Sequence, residues 1–431
     1  NDQTGLEKST SDSRVKSALV YSPIPLKNLA SQDDDADATA SLYSPLLSTE
    51  DNNRRQRNQD YSFNGGLTIS FNKNISFNST FGYSAAKRND NKFFGLTSYY
   101  VREGGALKGS DNLLAPVVYI TNTDKTTLQN TNVLTYKKED FIKGHNINVI
   151  VGQETLIRPE KKLTLDYERL PKEYNSILAW NNLSDDQLRF SNNFIEPDYR
   201  LFSYFGRINY DFEGRYLFAA TLRTDGSSKF ALGNQWGYFP SVSAGWRISD
   251  EKFMKSTEKW LSNLKLRGGY GEAGSDNITN SAFIRSYTLS QLASYLDPSL
   301  FTEMGYVGLT LPNPDLKWET TVTQNLGLDF GFLNNKINGS LELYNNKTLD
   351  ALMKVTLSGV GYSDQWQNAA STSNKGVELS LNAEIVRTKD FSLNCTFNIS
   401  KNKNTVLALK NGVQATFNEA WTSFSEGSNS Y

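Results

Sequence analysis

Residues 198–250 read DYRLFSYFGRINYDFEGRYLFAATLRTDGSSKFALGNQWGYFPSVSAGWRISD, and taking every second position sorts them into two chemistries. Phe202, Tyr204, Gly206, Ile208, Tyr210 and Phe212 share one face, while Ser203, Arg207, Asn209 and Asp211 share the other. Glu213-Gly214-Arg215 predicts a tight turn, after which Tyr216, Phe218, Ala220 and Leu222 oppose Thr221, Arg223 and Asp225. A third run sets Trp236, Tyr238, Val242, Ala244, Trp246 and Ile248 against Gly237, Ser241, Ser243, Arg247 and Ser249. A period of two sustained over about 10 residues signals antiparallel strands with one apolar and one polar face. Soluble strands are usually about 5–6 residues long, whereas a tilted strand crossing a bilayer needs about 9–11. Every charge in the three runs lies on the polar face. That is the pattern of a membrane β-barrel wall.

The alternation extends in both directions. Upstream, Tyr61, Phe63, Leu67, Ile69 and Phe71 oppose Ser62, Asn64, Thr68 and Ser70, and Asn72-Lys73-Asn74 turns the chain into Ile75, Phe77, Phe81 and Tyr83. A weaker hairpin is expected around 134–136 and 147–157, joined at Lys143-Gly144-His145-Asn146. Downstream come Leu264, Leu266 and Tyr270, then Leu326, Leu328, Phe330 and Phe332, then Ile337, Leu341 and Leu343. Val377, Leu379 and Leu381 follow, and finally Phe391, Leu393, Cys395, Phe397 and Ile399. About 12 strands result. The connections alternate in length: 72–74, 143–146, 213–215, 251–263, 333–335 and 386–390 are short, and 85–127, 158–199, 272–317 and 350–372 are long, with 226–234 intermediate. Outer-membrane barrels place short periplasmic turns on one rim and longer extracellular loops on the other. This reading divides the chain into an extracellular loop region at 1–58, a partial barrel at 59–402 and the start of a further extracellular loop at 403–431.

Composition narrows the class. Mean hydropathy is −0.52 although aromatics make up 12% of the 431 residues, as expected when only half of each strand must be apolar. The chain has no run of 18 apolar residues, so no transmembrane helix is expected. A net charge of −1 argues against a nucleic-acid partner, which needs a basic surface. A single cysteine, Cys395, excludes a disulfide framework, and no cofactor or metal is expected. The N-terminus carries no secretory signal. An exported protein must have one, so the reading frame is expected to begin upstream of Asn1 or the signal to have been removed.

Other local features read more blandly. Gly269-Tyr270-Gly271-Glu272-Ala273-Gly274 matches G-x-G-x-x-G, but Ser275-Asp276-Asn277-Ile278-Thr279-Asn280 after it is loop, not the helix a dinucleotide site requires. His145 is the only histidine, which leaves a catalytic triad or zinc site without its other members. It is expected to be a solvated turn residue. Asp33-Asp34-Asp35 lacks the spaced oxygen ligands and turn glycine of a calcium loop. The polar-face residues Arg207, Arg223, Arg247, Arg267, Asp211, Asp225, Asp329, Glu342, Glu378 and Glu384 are expected to form mostly an ion-pair lattice in the wall.

Three stretches carry a resemblance. Arg223 to Phe230 (R-x-D-G-S-S-x-F), Gly237-Tyr238-Phe239-Pro240-Ser241 through Trp246, and Asn313-Pro314-Asp315-Leu316-Lys317-Trp318-Glu319 together resemble the SusC/RagA class of TonB-dependent outer-membrane transporters of Bacteroidota. The resemblance spans about 54–404. It implies an all-β fold, a transmembrane antiparallel β-barrel of 22 strands filled by a plug domain. On that reading the chain supplies about 12 of the strands, with the plug domain absent from it. Half a barrel would expose edges that lipid cannot satisfy.

The implied function is import across the cell outer membrane, with no enzymatic chemistry. The implied partners are a SusD-like surface lipoprotein lid, the TonB–ExbB–ExbD energy-coupling complex acting through the plug, outer-membrane lipid, and oligosaccharide or peptide cargo. Sugar rings stack on exposed aromatic faces, so the aromatics of the outward connections are candidate cargo or lid contacts: Tyr174, Trp180, Tyr295, Phe301, Tyr306, Trp366 and Trp421. The alternatives are a self-contained small barrel acting as a passive channel, which needs strands that close, and a surface adhesin, which needs longer loops.

Overall fold

The computed structural model describes residues 2–4, 50–96, 98, 101, 115–280, 282–285, 287–290, 305–308, 310–357, 362–409, 415–416 and 423–424. After a short β1 (Asp2–Thr4) come β2 (Asn52–Ser70), β3 (Ile75–Phe94), β4 (Val117–Ile142), β5 (His145–Tyr167), a short helix α1 (Ser176–Asn181) and β6 (Leu188–Phe212). Next are β7 (Tyr216–Ser227), β8 (Trp236–Arg247), β9 (Leu261–Ser275) and the short β10 (Tyr287–Ser290), β11 (Gly305–Gly308) and β12 (Thr310–Leu311). The long strands β13 (Glu319–Phe332), β14 (Ile337–Thr356), β15 (Asp364–Arg387) and β16 (Ser392–Leu409) complete the main sheet, followed by the small pair β17 (Ala415–Thr416) and β18 (Ser423–Phe424). The main sheet runs β1 through β9 in chain order and continues into β13, β14 and β15, with β16 and the short β12 both against β15. Every long-strand pairing from β6 to β16 is antiparallel. The order is linear, and its first and last strands do not pair with each other among the described residues. The expected twelve or so long strands are present in an all-β, antiparallel sheet.

Contacts divide the chain into two compact units. One comprises Asn1–Phe63, Tyr83–Thr127 and Arg158–Pro197; the other comprises Asn64–Gly82, Leu128–Ile157 and Asp198–Tyr431. In the first, Phe93, Val118, Leu170 and Ala179 form a buried cluster, flanked by Ile120, Tyr167, Tyr174, Trp180 and Leu183. The second has the alternation read from the sequence. Tyr204, Ile208, Phe218, Leu222, Val242, Leu326, Leu343, Phe397 and Ile399 are all exposed on one face, and Tyr238 is 66% exposed. Aromatic and aliphatic side chains left open in such a continuous band suit a hydrocarbon solvent, not water.

The strands are longer than the sequence reading allowed. β3 reaches Phe94 and β4 begins at Val117, so the expected connection 85–127 shrinks to 95–116. Likewise β5 extends to Tyr167 and β6 begins at Leu188, which reduces 158–199 to 168–187; 350–372 reduces to 357–363. The long strands also begin at Asn52 instead of about 59 and end at Leu409 instead of about 402. The physical reason is common to all. Apolar alternation is demanded only along the part of a strand that meets lipid, while backbone pairing continues beyond it through polar sequence such as Asn52-Asn53-Arg54-Arg55.

The expected Glu213-Gly214 turn is tight, with φ of 51° and 67°, both positive as a type I′ hairpin requires. Short turns are then stitched to one another through the backbone. Glu213 N donates to Gly144 O at 2.7 Å, Arg247 N to Arg215 O at 2.9 Å, Leu333 N to Trp260 O at 2.8 Å and Glu384 N to Lys336 O at 2.7 Å.

On the polar face the register places Arg267, Gly327 and Glu342 abreast on three adjacent strands. Arg267 crosses β13 over Gly327, donating from Nη2 to Glu342 Oε1 at 2.5 Å and from Nε to Asp329 at 3.2 Å. A Cβ on Gly327 would lie 2.6 Å from the guanidinium carbon. Gly327→Val in the receptor that carries this chain is therefore expected to lower unfolding stability by roughly 1–3 kcal/mol, as overpacking does. An unchanged denaturation midpoint would rule out the crossing as a structural requirement.

Candidate functional site

The polar face of the second unit bears a groove of ≈ 920 Å³. Its floor is built from small residues of β7, β8 and β9, among them Ala219, Thr221, Ser241, Ser243, Gly269 and Gly271. Its sides carry Lys137, Glu139, Asn146, Arg207, Asp211, Lys265 and Arg267. Asn146 Nδ2 donates to Asp211 Oδ1 at 2.8 Å and Arg207 Nε to Asn209 Oδ1 at 2.9 Å. Small floor residues with charged and amide walls leave a wide, wettable surface that offers donors and acceptors together.

The polar-face residues named from the sequence form a lattice for the most part. Arg223 bonds Asp225 at 2.8 Å and Ser203 Oγ at 2.9 Å, with Glu154 at 3.8 Å. Arg267 holds Asp329 and Glu342, Arg247 lies 3.8 Å from Asp250, and Glu384 pairs with Arg387 at 3.3 Å. Glu378 sits in register beside Glu342 and is exposed. One feature was not legible in advance: Phe205 lies on this polar face, over Gly152 and 5.7 Å from the Arg223 guanidinium. Its parity in β6 marks it out, but alternation counts alone treat it as an error.

At the end of the strands where the long connections lie, the three stretches that carried the resemblance meet. Phe230, Ile278, Ala282 and Leu316 are buried together, with Trp318, Leu352 and Trp366 packed against them. Trp318 is 5.3 Å from Phe230 and 5.4 Å from Phe239, ring to ring, and Phe239 in turn lies over Gly237 and Gly274. The backbone of 312–318 is tied down on both sides. Trp318 Nε1 donates to Gln235 O at 2.9 Å and Asn234 Nδ2 to Pro314 O at 3.2 Å. Toward β15, Asn313 Nδ2 donates to Trp366 O, Gln365 Nε2 to Pro312 O and Asn368 Nδ2 to Lys317 O. Ser227 Oγ donates to Asp276 Oδ2 at 2.6 Å and Lys229 Nζ to Asp276 O at 3.0 Å. These stretches thus form one strapped assembly at the end of the sheet where the long connections leave it.

The seven aromatics proposed as contacts are placed as follows. Tyr174 and Trp180 are half-buried in the first unit, packed on the cluster of Phe93 and Leu170 beside α1, whose N-terminus is capped by Asn175 accepting from Leu178 N. Trp366 is half-buried in the strapped assembly. Tyr306 belongs to β11, where its backbone faces Leu289. Tyr295, Phe301 and Trp421 lie outside the described residues. Tyr174 and Trp180 thus pack within one unit and Trp366 within the other.

The opposite end, with the short turns, is aromatic. His145 is not a solvated turn residue: it opens β5, half-buried, with Nδ1 2.6 Å from the Tyr210 hydroxyl and its ring 4.4 Å from Phe212. Glu251, buried in the link between β8 and β9, accepts from the Tyr216 hydroxyl at 2.5 Å, from Trp246 Nε1 at 3.0 Å and from Arg215 at 3.0 Å. Those bonds, the tyrosine's first and the tryptophan's next, hold its carboxyl below the ordinary carboxylate range. Among the described residues no group of His, Cys, Asp and Glu is arranged to hold a metal ion.

Residues 6–427 match the family described as TonB dependent receptor-like, beta-barrel. The chain is 42% identical over 237 residues to the TonB-dependent receptor SusC of Bacteroides thetaiotaomicron, a match taking in 53% of this chain and 23% of that receptor. It is 37% identical over 242 residues to a TonB-dependent receptor of Formosa agariphila, again 23% of the relative. The matched portions therefore span about a quarter of the length of these relatives. Among solved structures, the RagAB peptide transporter superposes with a TM-score of 0.71 at 23% identity, over 87% of this chain and 39% of that one, which is a likeness of fold.

Two measurements check this geometry. Trp318→Ala is expected to cost roughly 2–3 kcal/mol, below the ~3–5 of a fully buried tryptophan, and to speed tryptic cleavage after Lys317. Unchanged cleavage would mean that the strap holds without it. Because the folded Glu251 ionises below its usual value of 4.5, its contribution is complete above that value and is lost as pH falls through the lower folded one. Thermal midpoints followed from neutral to acid pH should therefore drop more in the parent than in Glu251→Gln; parallel curves would exclude the Glu251 cluster as their source.

Proposed function

This chain belongs to the TonB-dependent receptor-like β-barrel family, and from that membership we propose that it forms wall and rim of an outer-membrane importer for oligosaccharides or peptides. The observation that carries the reading is the two-faced sheet: an exposed apolar band backs onto a polar, ion-paired face with a groove of ≈ 920 Å³. The first face suits lipid and the second suits a water-filled path. In this proposal the long connections point out of the cell, and the strap formed by 312–318 steadies them against a SusD-like lipoprotein lid. Cargo held there passes along the polar face once a plug domain is pulled aside by the TonB–ExbB–ExbD complex. Tyr174, Trp180, Tyr295, Phe301, Tyr306, Trp366 and Trp421 are each offered in this reading as a separate candidate contact for cargo or lid. The reading assigns the chain no covalent chemistry. That its relatives are TonB-dependent receptors supports the energy coupling, and the likeness of fold to the RagAB peptide transporter keeps peptide beside glycan as cargo.

The test uses the whole receptor that contains this chain. A strain lacking its gene should fail to take up a defined set of oligosaccharides or peptides, and regain uptake from the wild-type gene only when the energy-coupling complex is intact. Uptake that persists without energy coupling would point to passive permeation and overturn the proposal.

A further inference from the structure

The link between β8 and β9, 248–260, is held at both ends on the apolar side of the sheet. At its start Glu251 accepts hydrogen bonds from Tyr216 and Trp246, both on the apolar face of their strands. At its end Trp260 stacks on Phe332, 6.1 Å away and within 6° of parallel, and Phe332 continues the apolar positions of β13. The intervening 3-10 turn, Lys252–Thr257, therefore lies along the outer edge of the short-turn rim. There Phe253 is 65% exposed and Trp260 51% exposed, and Trp260 joins the apolar positions of β13 through Phe332. Lys252, Lys255 and Lys259 are exposed beside them, and Lys336 is exposed in the neighbouring β13–β14 turn. None of these lysines has an ion pair among the described residues, and of the segment's two exposed carboxylates Asp250 lies 3.8 Å from Arg247, which leaves Glu258 nearest them in sequence. Arg215 differs: it is neutralised by Glu213 and Glu251.

We propose that this link is a lipid-surface foot, in which Phe253 and Trp260 enter the boundary of the leaflet at the short-turn rim while Lys252, Lys255 and Lys259 bind anionic phospholipid headgroups. The occupant follows from charge and position together. An aromatic side chain at the edge of an apolar band sits at headgroup depth, and unpaired lysines beside it face phosphate oxygens instead of protein carboxylates. The inference rests on the membrane reading above.

The test places the full receptor in nanodiscs of phosphatidylethanolamine, alone or mixed with phosphatidylglycerol, and counts phosphatidylglycerol retained by native mass spectrometry. The parent should retain it selectively and gain thermal stability from it. The triple variant Lys252→Gln, Lys255→Gln, Lys259→Gln should lose that preference, by roughly fivefold per charge removed, and raised salt should weaken the parent's preference in the same direction. All three side chains are exposed, so barrel assembly, read from heat-dependent gel mobility, should be unchanged. A parent that inserts but shows no preference, or a triple variant that keeps it, overturns the foot while leaving the membrane assignment standing. A receptor that does not enter the bilayer overturns both.

Discussion

The antiparallel hydrogen-bond ladder is the constraint on which the rest of this chain depends. A sheet with one face open to hydrocarbon cannot leave N–H and C=O groups without partners, because no water is available to satisfy them. The ladder from β6 to β16 meets that demand strand by strand, with irregularities confined to a few positions such as Thr348/Ala351 and Glu384/Val386. With the backbone committed to it, side chains can only alternate, and alternation hands one face to lipid and the other to a polar interior. The groove, the Arg267 crossing and the exposed aromatic band are consequences of this one arrangement.

The two ends of the sheet solve different problems. At the short-turn end neighbouring turns donate to one another through the backbone, and aromatic rings gather around His145, Glu251 and Trp260. At the other end the connections are long and need anchoring. The strap 312–318 provides it with a ring cluster, Phe230, Phe239 and Trp318, and with side-chain amides that satisfy backbone carbonyls on both sides. Rigid exit points mean that less freedom would be lost if the connections made the contacts proposed for them.

The polar face shows how close packing and wettability are reconciled. Large groups are laid flat over glycines, Phe205 over Gly152 and Arg267 over Gly327, so the wall keeps low relief without leaving voids. Arg223 is then stacked on Phe205 and saturated by Asp225 and Ser203, a geometry that fixes a charge in the wall without extending it into the groove. Arg207, Asp211, Lys265 and the Lys137–Glu139 pair line the groove itself.

The sequence by itself determined the class of the fold, the approximate strand number, the alternation of short and long connections and the face of the charges in its central three strands. It could do so because a hydrocarbon solvent imposes a period of two on every strand that crosses it, whatever the neighbours are. It under-read β3 to β6 at their far ends, where Val118, Leu170 and Ala179 pack with Phe93 in a local cluster and no lipid enforces the pattern. Only the tertiary structure decided that Phe205 lies over Gly152 beside Arg223, that His145 packs on Phe212 and bonds Tyr210, and that Phe230, Phe239 and Trp318 meet. Those contacts join residues many positions apart in sequence, and cross-strand register, which no local periodicity encodes, brings them together.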